Sequence, residues 1–412
     1  MEKLAINGGK KAVKDKLPSI SDKSGRTIGE EELVLVTEVI KSGSLSFLYG
    51  DKVKKFESDF ASLYGIDHVV AVSSGTAALH TGVNFINVDA GDEIITSAIT
   101  DMGTVIAILY QNAVPIFADV DPGTQLIDPE DIKRKITERT KAVIPVHLYG
   151  HPCDMDPIMK IAKENNLAVV EDCAQSYLTT YKGKKVGTFG DVGCFSLQQS
   201  KHITTGDGGM VIAKKDKAFG RELKLCADKG WPRHLYRDHL FLAPNYHMTE
   251  LQAAVGIAQL QKLEKCVDDR RRNAAMLASL IKNIPGITLP IEKEWAFHTY
   301  SYYCFAVDID EFKVPTSTLV EALTAEGIAT YPGYLPKPVY RYPLLKETFG
   351  KSDVPYNLSR YGKQLEYNEG LCPKAEIVCK TTLWCPWNEN YTKDNIQDIA
   401  TGFQKVFEYY HK

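Results

Sequence analysis

The chain has 412 residues, with 49 Lys+Arg against 52 Asp+Glu, a formal net charge of −3, and 44% hydrophobic and 25% charged composition. This balance lacks the basic excess of a nucleic-acid-binding surface, and no apolar run reaches the roughly eighteen residues a membrane span requires. The length exceeds what one hydrophobic core usually supports, so two or three structural units are expected.

The first residues, Met1 to Gly9, contain no apolar core of a signal peptide, which makes the cytoplasm the expected location. Residues 1–25 read as an N-terminal segment. From 26 to 265 short apolar runs alternate with amphipathic ones, the signature of βαβ units and a mainly parallel sheet. The strands fall at His68–Val72, Asp92–Thr96, Val114–Ala118, Ala142–Val146, Ala168–Glu171, Gly193–Leu197 and Gly209–Ile212. Helices are expected at Thr76–Phe85, Gly103–Gln111 and Met155–Asn165. From Leu251 the period lengthens to a helical stripe of Leu251, Ala254, Ile257, Leu260 and Leu263. Arg270, Arg271 and Arg272 follow, read as a solvated helix face ahead of another helix. Residues 266–412 then form a smaller α+β unit, with a strand at Tyr302–Val307, a helix near Ser317–Glu326 and an aromatic loop from Tyr331 to Tyr342.

The nine cysteines are odd in number and form no Cys-x-x-Cys pair. Free buried thiols in a reducing compartment account for them, and no metal site is expected. Cys173, beside two acids, is the one placed nearest to chemistry.

Three segments carry chemical potential. Val72 to Leu79 links a strand to a helix through Ser73-Ser74-Gly75-Thr76, which reads either as a helix cap or as an anion cup of free N–H groups and hydroxyls. Glu171-Asp172 ends an apolar strand at the edge where α/β sheets bind ligands, although an acid there also serves as a cap. A buried Asp172 requires a cationic partner. Lys201 leaves a strand into a Thr/Gly-rich loop, where a lysine is either solvated or, in a partly desolvated pocket, able to condense with an aldehyde.

The order of cup, acid and lysine resembles a pyridoxal 5′-phosphate site of the aspartate-aminotransferase type (fold type I). More specifically, the chain resembles the DegT/DnrJ/EryC1/StrS family of sugar aminotransferases. The blocks that carry the likeness are Ser73 to Leu79, Phe117 to Val120, Val146 to Gly150, Glu171 to Gln175, Ser196 to Gly209 and Asn245 to Ala254. The resemblance implies that Lys201 holds the cofactor as an aldimine and shuttles a proton, while Asp172 pairs with the pyridinium nitrogen. Gln175 would reach the phenolic oxygen. Gly75, Thr76 and Ser196 would hold the phosphate, joined by Asn245 of the partner subunit of a homodimer with shared active sites.

The implied reaction is a ping-pong transamination. L-glutamate or L-glutamine leaves the cofactor as pyridoxamine 5′-phosphate, which aminates a keto-sugar or keto-cyclitol in amino-sugar synthesis for an antibiotic or a cell-surface glycan. Loops 231–234, 297–300 and 331–334 are candidates for the acceptor and carboxylate sites, or else simply pack the smaller unit. Two alternatives are a deoxysugar dehydratase, whose members carry histidine in place of Lys201, and a non-catalytic regulatory member. Asp101 stands where the family usually stacks an aromatic ring on the cofactor, and it reads as a helix cap or a substrate contact.

Overall fold

The computed structural model describes residues 2–235, 237–346 and 366–412; Tyr236 and residues 347–365 of the expected C-terminal unit lie outside the described residues. Seven strands form the central sheet: β1 (His68–Val72), β2 (Glu93–Ser97), β3 (Val114–Ala118), β4 (Thr140–Ile144), β5 (Ala168–Asp172), β6 (Val192–Ser196) and β7 (Gly209–Ala213). Their order across the sheet is β1-β7-β6-β5-β4-β2-β3. β3, β2, β4, β5 and β6 pair in parallel, whereas β7 runs antiparallel to both neighbours, β1 and β6. β2, β5, β6 and β7 are buried along their whole length. Burial on both faces explains why these strands read as continuous apolar runs rather than as alternating ones. The expected strands therefore match within one or two residues at each end.

Helix α1 (Gly75–Phe85) follows β1, and helix α2 (Met102–Tyr110) follows β2. α1 is buried on all sides from Ala77 to Phe85 and packs deep against the sheet, its polar His80 and Asn84 hydrogen-bonded to Tyr246, Gln111 and the Leu242 carbonyl. A second, four-stranded antiparallel sheet consists of Ile287–Thr288, β8 (Tyr302–Val307), β9 (Thr382–Pro386) and Tyr331–Pro332. Its own apolar core includes Phe305, Leu319, Leu383, Phe403 and Phe407.

Helix α3 (Glu250–Ile281) has 32 residues and opens on a capping box between Thr249 and Gln252. It runs through the three arginines without a break. Its buried positions follow the 3.6-residue period through Leu263, Val267, Arg270, Ala274 and Leu277. This corrects the solvated reading of the arginines. Arg270 is fully buried, ion-paired with Glu389 at 2.8 Å and bonded to the carbonyls of Tyr300 and Ser301 at 3.2 Å each. Arg271 pairs with Glu292 at 2.7 Å and covers the Phe297 ring, leaving only Arg272 well exposed, against Asp269. Successive helix residues point about 100° apart, so three in a row cannot share one face.

The block Phe117 to Val120 joins the two sheets. Asp119 accepts from the backbone N–H groups of Lys374 at 3.0 Å and Ala375 at 2.8 Å, satisfying the first turn of helix α4 (Pro373–Thr381) from 255 residues away.

Candidate active site

Loops leaving the carboxyl ends of β1, β2, β5 and β6 line one cavity of about 380 Å³. The fold places it at the sheet edge where open α/β structures bind ligands. Six of the residues singled out from sequence, Gly75, Thr76, Asp172, Gln175, Ser196 and Lys201, line it. Asn245 does not. It lies in the 228–247 loop, bridged to Asp228, outside the cavity of its own chain.

The helix-cap reading of Ser73 to Thr76 is observed, and the residues that the anion-cup reading names border the cavity. The Ser74 hydroxyl accepts from the Ala77 amide at 3.0 Å, which caps α1. The amides of Gly75 and Thr76 precede the first intrahelical donor, the Ala78 N–H that bonds to the Ser74 carbonyl at 2.9 Å, and with the Thr76 hydroxyl they border the cavity. Glycine at 75 is a steric requirement, since a Cβ there would lie 2.6 Å from Ser196 Cβ and 2.8 Å from its Oγ. The absent side chain lets the Ser196 hydroxyl close against the helix N-terminus. Gly209 does the same on the other side, where a Cβ would meet the Ser74 carbonyl oxygen at 2.4 Å.

Asp172 is 4% exposed. It makes no ion pair among the described residues, contrary to the requirement inferred from sequence. Neutral donors serve instead: Thr104 Oγ1 donates to Oδ2 at 2.8 Å, and the Ala174 amide to Oδ1 at 3.0 Å. Burial pushes the carboxyl above its ordinary pKa. The Ala174 amide, the Thr104 hydroxyl and the charge of Lys201 pull it part of the way back. Such a carboxylate is poised to share a proton with a basic nitrogen brought beside it.

Gln175 is held at both ends. Its Oε1 accepts from the Tyr149 amide at 2.8 Å, and its Nε2 donates to the Tyr334 hydroxyl at 2.9 Å. Tyr334 and Tyr302 carry the C-terminal sheet's contribution to the cavity. Of the aromatic loops singled out from sequence, only Tyr334 reaches it. His298 stacks on Tyr300 at 3.9 Å within the core, and Arg233 binds Asp228 through two bonds of 2.6 Å. Asp101 caps α2 by accepting from the Gly103 amide at 2.8 Å while lining the cavity.

Chain neighbours of Asp172 and Lys201 turn away from the cavity. His202 donates from Nε2 to the Thr299 carbonyl at 2.9 Å and is absent from the cavity wall. Burial and the charge of Arg270 push its pKa down to about 3, so it stays neutral. His202, next to Lys201 in the chain, is therefore a packed core residue. Cys173 also faces the core rather than the cavity, and burial drives its thiol pKa well up. His147, Glu171 and Cys173 come within 4.8 Å of one another. The cluster is a hydrogen-bond clamp: His147 Nδ1 accepts from the Cys153 amide at 2.9 Å, which leaves Nε2–H to donate to Glu171 at 3.0 Å. Glu171 also accepts from the amides of Gly187, Phe189 and Gly190 at 2.7, 2.7 and 2.6 Å.

The sequence profile of the DegT/DnrJ/EryC1/StrS aminotransferase family matches residues 26–357. The chain belongs to this family. It is a family of pyridoxal 5′-phosphate-dependent aminotransferases, and this chain is one of its enzymes. Similar proteins include a GDP-perosamine synthase of Escherichia coli O157:H7, 36% identical over 81% of this chain and 89% of that protein. An L-glutamine:2-deoxy-scyllo-inosose aminotransferase of Streptomyces lividus is 34% identical over 91% of each. The crystal structure of an aminotransferase from Psychrobacter cryohalolentis superimposes with a TM-score of 0.84 at 27% identity, covering 94% of this aminotransferase and 98% of that chain.

Proposed function

We propose that this aminotransferase holds pyridoxal 5′-phosphate at Lys201 and moves an amino group from L-glutamate or L-glutamine to a keto-sugar or keto-cyclitol. The observation that carries this reading is the convergence in one cavity of an amine, a buried carboxylate and an anion cup. The donor set fits the cofactor: available amides and hydroxyls at Gly75, Thr76 and Ser196 for a phosphate, Lys201 for an aldehyde, and Asp172 for a ring nitrogen. The relatives named above, one acting on a GDP-linked sugar and one on a cyclitol, support the acceptor class.

When bound, the cofactor supplies an aldehyde that condenses with amines and a ring that accepts the electron pair released from a C–H bond. Lys201 Nζ would hold the aldehyde carbon of the cofactor and, when free, would serve as the base that takes the proton from the donor Cα and carries it to that aldehyde-derived carbon. Asp172, kept dry and oriented by Thr104 and Ala174, holds a proton on the ring nitrogen. Gln175, fixed by Tyr149 and Tyr334, positions the phenolic oxygen. Hydroxyls and the two tyrosines of the wall suit a polyhydroxylated acceptor.

Lys201 is the only cation among the described lining residues, and an α-carboxylate calls for a further positive charge. We assign that to a second copy of the chain, with the partner subunit's Asn245 completing the phosphate site. Apolar side chains support the pairing: Leu33, Val34, Ile40 and Tyr49 lie exposed, with Leu240 and Leu242 on the loop that carries Asn245. The two stretches adjoin where Phe47 packs on His247 at 4.3 Å. Residues 26–265 would then carry the cofactor and 266–412 the acceptor side, in a reducing cytoplasm that suits nine buried free cysteines.

The test is the visible spectrum of the protein loaded with pyridoxal 5′-phosphate, before and after L-glutamine or L-glutamate. Conversion to the pyridoxamine spectrum by either donor is the expected result. A bound cofactor left unchanged by both would overturn the donor assignment, and absence of binding would overturn the reading as a whole.

A further inference from the structure

Arg26 is 5% exposed and donates from Nη1 to the main-chain carbonyl of Lys201 at 2.9 Å. Its Nε and Nη2 have no hydrogen-bond partner among the described residues. Burial lowers its pKa; the charge of Glu389 opposes this, and that of Arg270 reinforces it. A buried guanidinium with two unpartnered nitrogens costs stability, so stability does not account for its presence.

The neighbouring residues show what it does. Gln199, two residues before Lys201, donates from Nε2 to the Ile20 carbonyl at 2.9 Å. On the opposite side, Asn388 donates to the Gly25 carbonyl and Asn390 to the Ser24 carbonyl, each at 3.0 Å. Between these ties the chain is folded tightly. A Cβ on Gly25 would lie 2.4 Å from the Ser19 carbonyl and 2.7 Å from Asn388 Nδ2. Residues 19–26 thus cross from the lysine loop to the 388–390 loop and are bonded to both.

We propose that residues 19–26 are a strap that positions Lys201, with Arg26 as the positioning residue. A lysine side chain has four rotatable bonds, so the location of its amine is no better defined than the backbone that carries it. Arg26 fixes the carbonyl of Lys201, and His202 fixes the next residue through its bond to Thr299. The catalytic consequence rests on the aminotransferase reading of Lys201; the strap itself does not.

The experiment is hydrogen–deuterium exchange on the full-length protein, comparing wild type with Arg26→Gln and Arg26→Lys, alongside the donor half-reaction of the cofactor-loaded forms. Exchange in residues 199–203 should rise roughly tenfold in Arg26→Gln while Ala168–Asp172 stays protected, and the half-reaction rate should fall roughly tenfold to a hundredfold with the donor KM within about threefold. Arg26→Lys, whose donor sits on a side chain long enough to reach the carbonyl as that of Gln is not, should recover part of both effects. Uniformly raised exchange, or unchanged exchange at 199–203, overturns the strap. Should Arg26→Gln fail to fold, Gln199→Ala releases the same loop with the buried charges intact, and unchanged local exchange there overturns it equally. If wild type shows no half-reaction, the aminotransferase reading fails while the exchange comparison still decides the strap.

Discussion

Glu171 and Asp172 are consecutive residues at the end of one strand, yet their surroundings differ. Glu171, on one side of β5, receives three backbone amides and a histidine N–H, which saturates its oxygens. Asp172, on the cavity side, receives one hydroxyl and one amide. Both are buried, at 0% and 4% exposure. A saturated carboxylate is architecture, whereas a half-saturated one keeps acceptor capacity for a further donor.

The largest effect that tests this contrast belongs to the cavity side. Lys201→Ala should cut the donor half-reaction by at least roughly a thousandfold, read from the rate of spectral change. Retained turnover would sink the assignment. Asp172→Asn should lower turnover roughly a hundredfold or more and yet raise the melting temperature of the cofactor-free protein by roughly 2 °C, since it removes a carboxylate that burial disfavours. A loss of stability would mean that Asp172 is architecture as well.

On the opposite side the pattern should invert. Glu171→Ala strands three buried amides and a histidine N–H, and should cost about 3 kcal/mol in denaturant unfolding. Unaltered stability would remove the distinction.

Acidification probes the same clamp-like interior more broadly. Burial pushes His80 and His151 down to about 4 and His202 to about 3, from an ordinary 6.5. The unfolded chain protonates these histidines near pH 6.5 while the folded chain resists, so their stabilisation is complete above that pH and is lost progressively as pH falls to about 4. Unfolding near pH 5 should take up about three protons from this source, measurable as the slope of stability against pH. A flat stability profile between pH 6.5 and 4.5 would contradict the burial of these rings.

The smallest effect is expected at Asp101. Asn caps a helix nearly as well as Asp, so Asp101→Asn should move stability by less than about 0.5 kcal/mol. Any change in acceptor KM then reports on the carboxylate as a substrate contact.

Much of this was legible in the sequence where physics acts locally. The strands of the central sheet stand out because burial on both faces demands unbroken apolar runs such as Val69 to Val72 and Ala168 to Val170. The cup, acid and lysine were legible as short segments at strand ends, and their shared cavity follows from the topology. What escaped reading depends on contacts between distant residues. Arg270 looked solvated because it stands in a charged run, although its spacing from Val267 and Ala274 already placed it on the buried stripe. Thr104 lay in a segment read for its helix cap, and nothing local shows that its hydroxyl would meet Asp172, 68 residues on. Arg26, 175 residues from Lys201, carries no local signal of its partner. Tyr334 was singled out, but the bond from Gln175 that orients it appears only once the two sheets are packed.

The reversed strand β7 has a consequence for how the protein is assembled. A parallel strand beside β6 would have to start from the far edge, roughly 17 Å away for five residues, and would need a helical crossover to get there. Because β7 runs back from the edge at which β6 ends, residues 197–208 close as a simple loop between adjacent strands. The segment bearing Lys201 can therefore form early through sequence-local contacts with little loop-closure entropy, before the long-range pairing of β1 with β7 brings the Ser74–Thr76 turn to it.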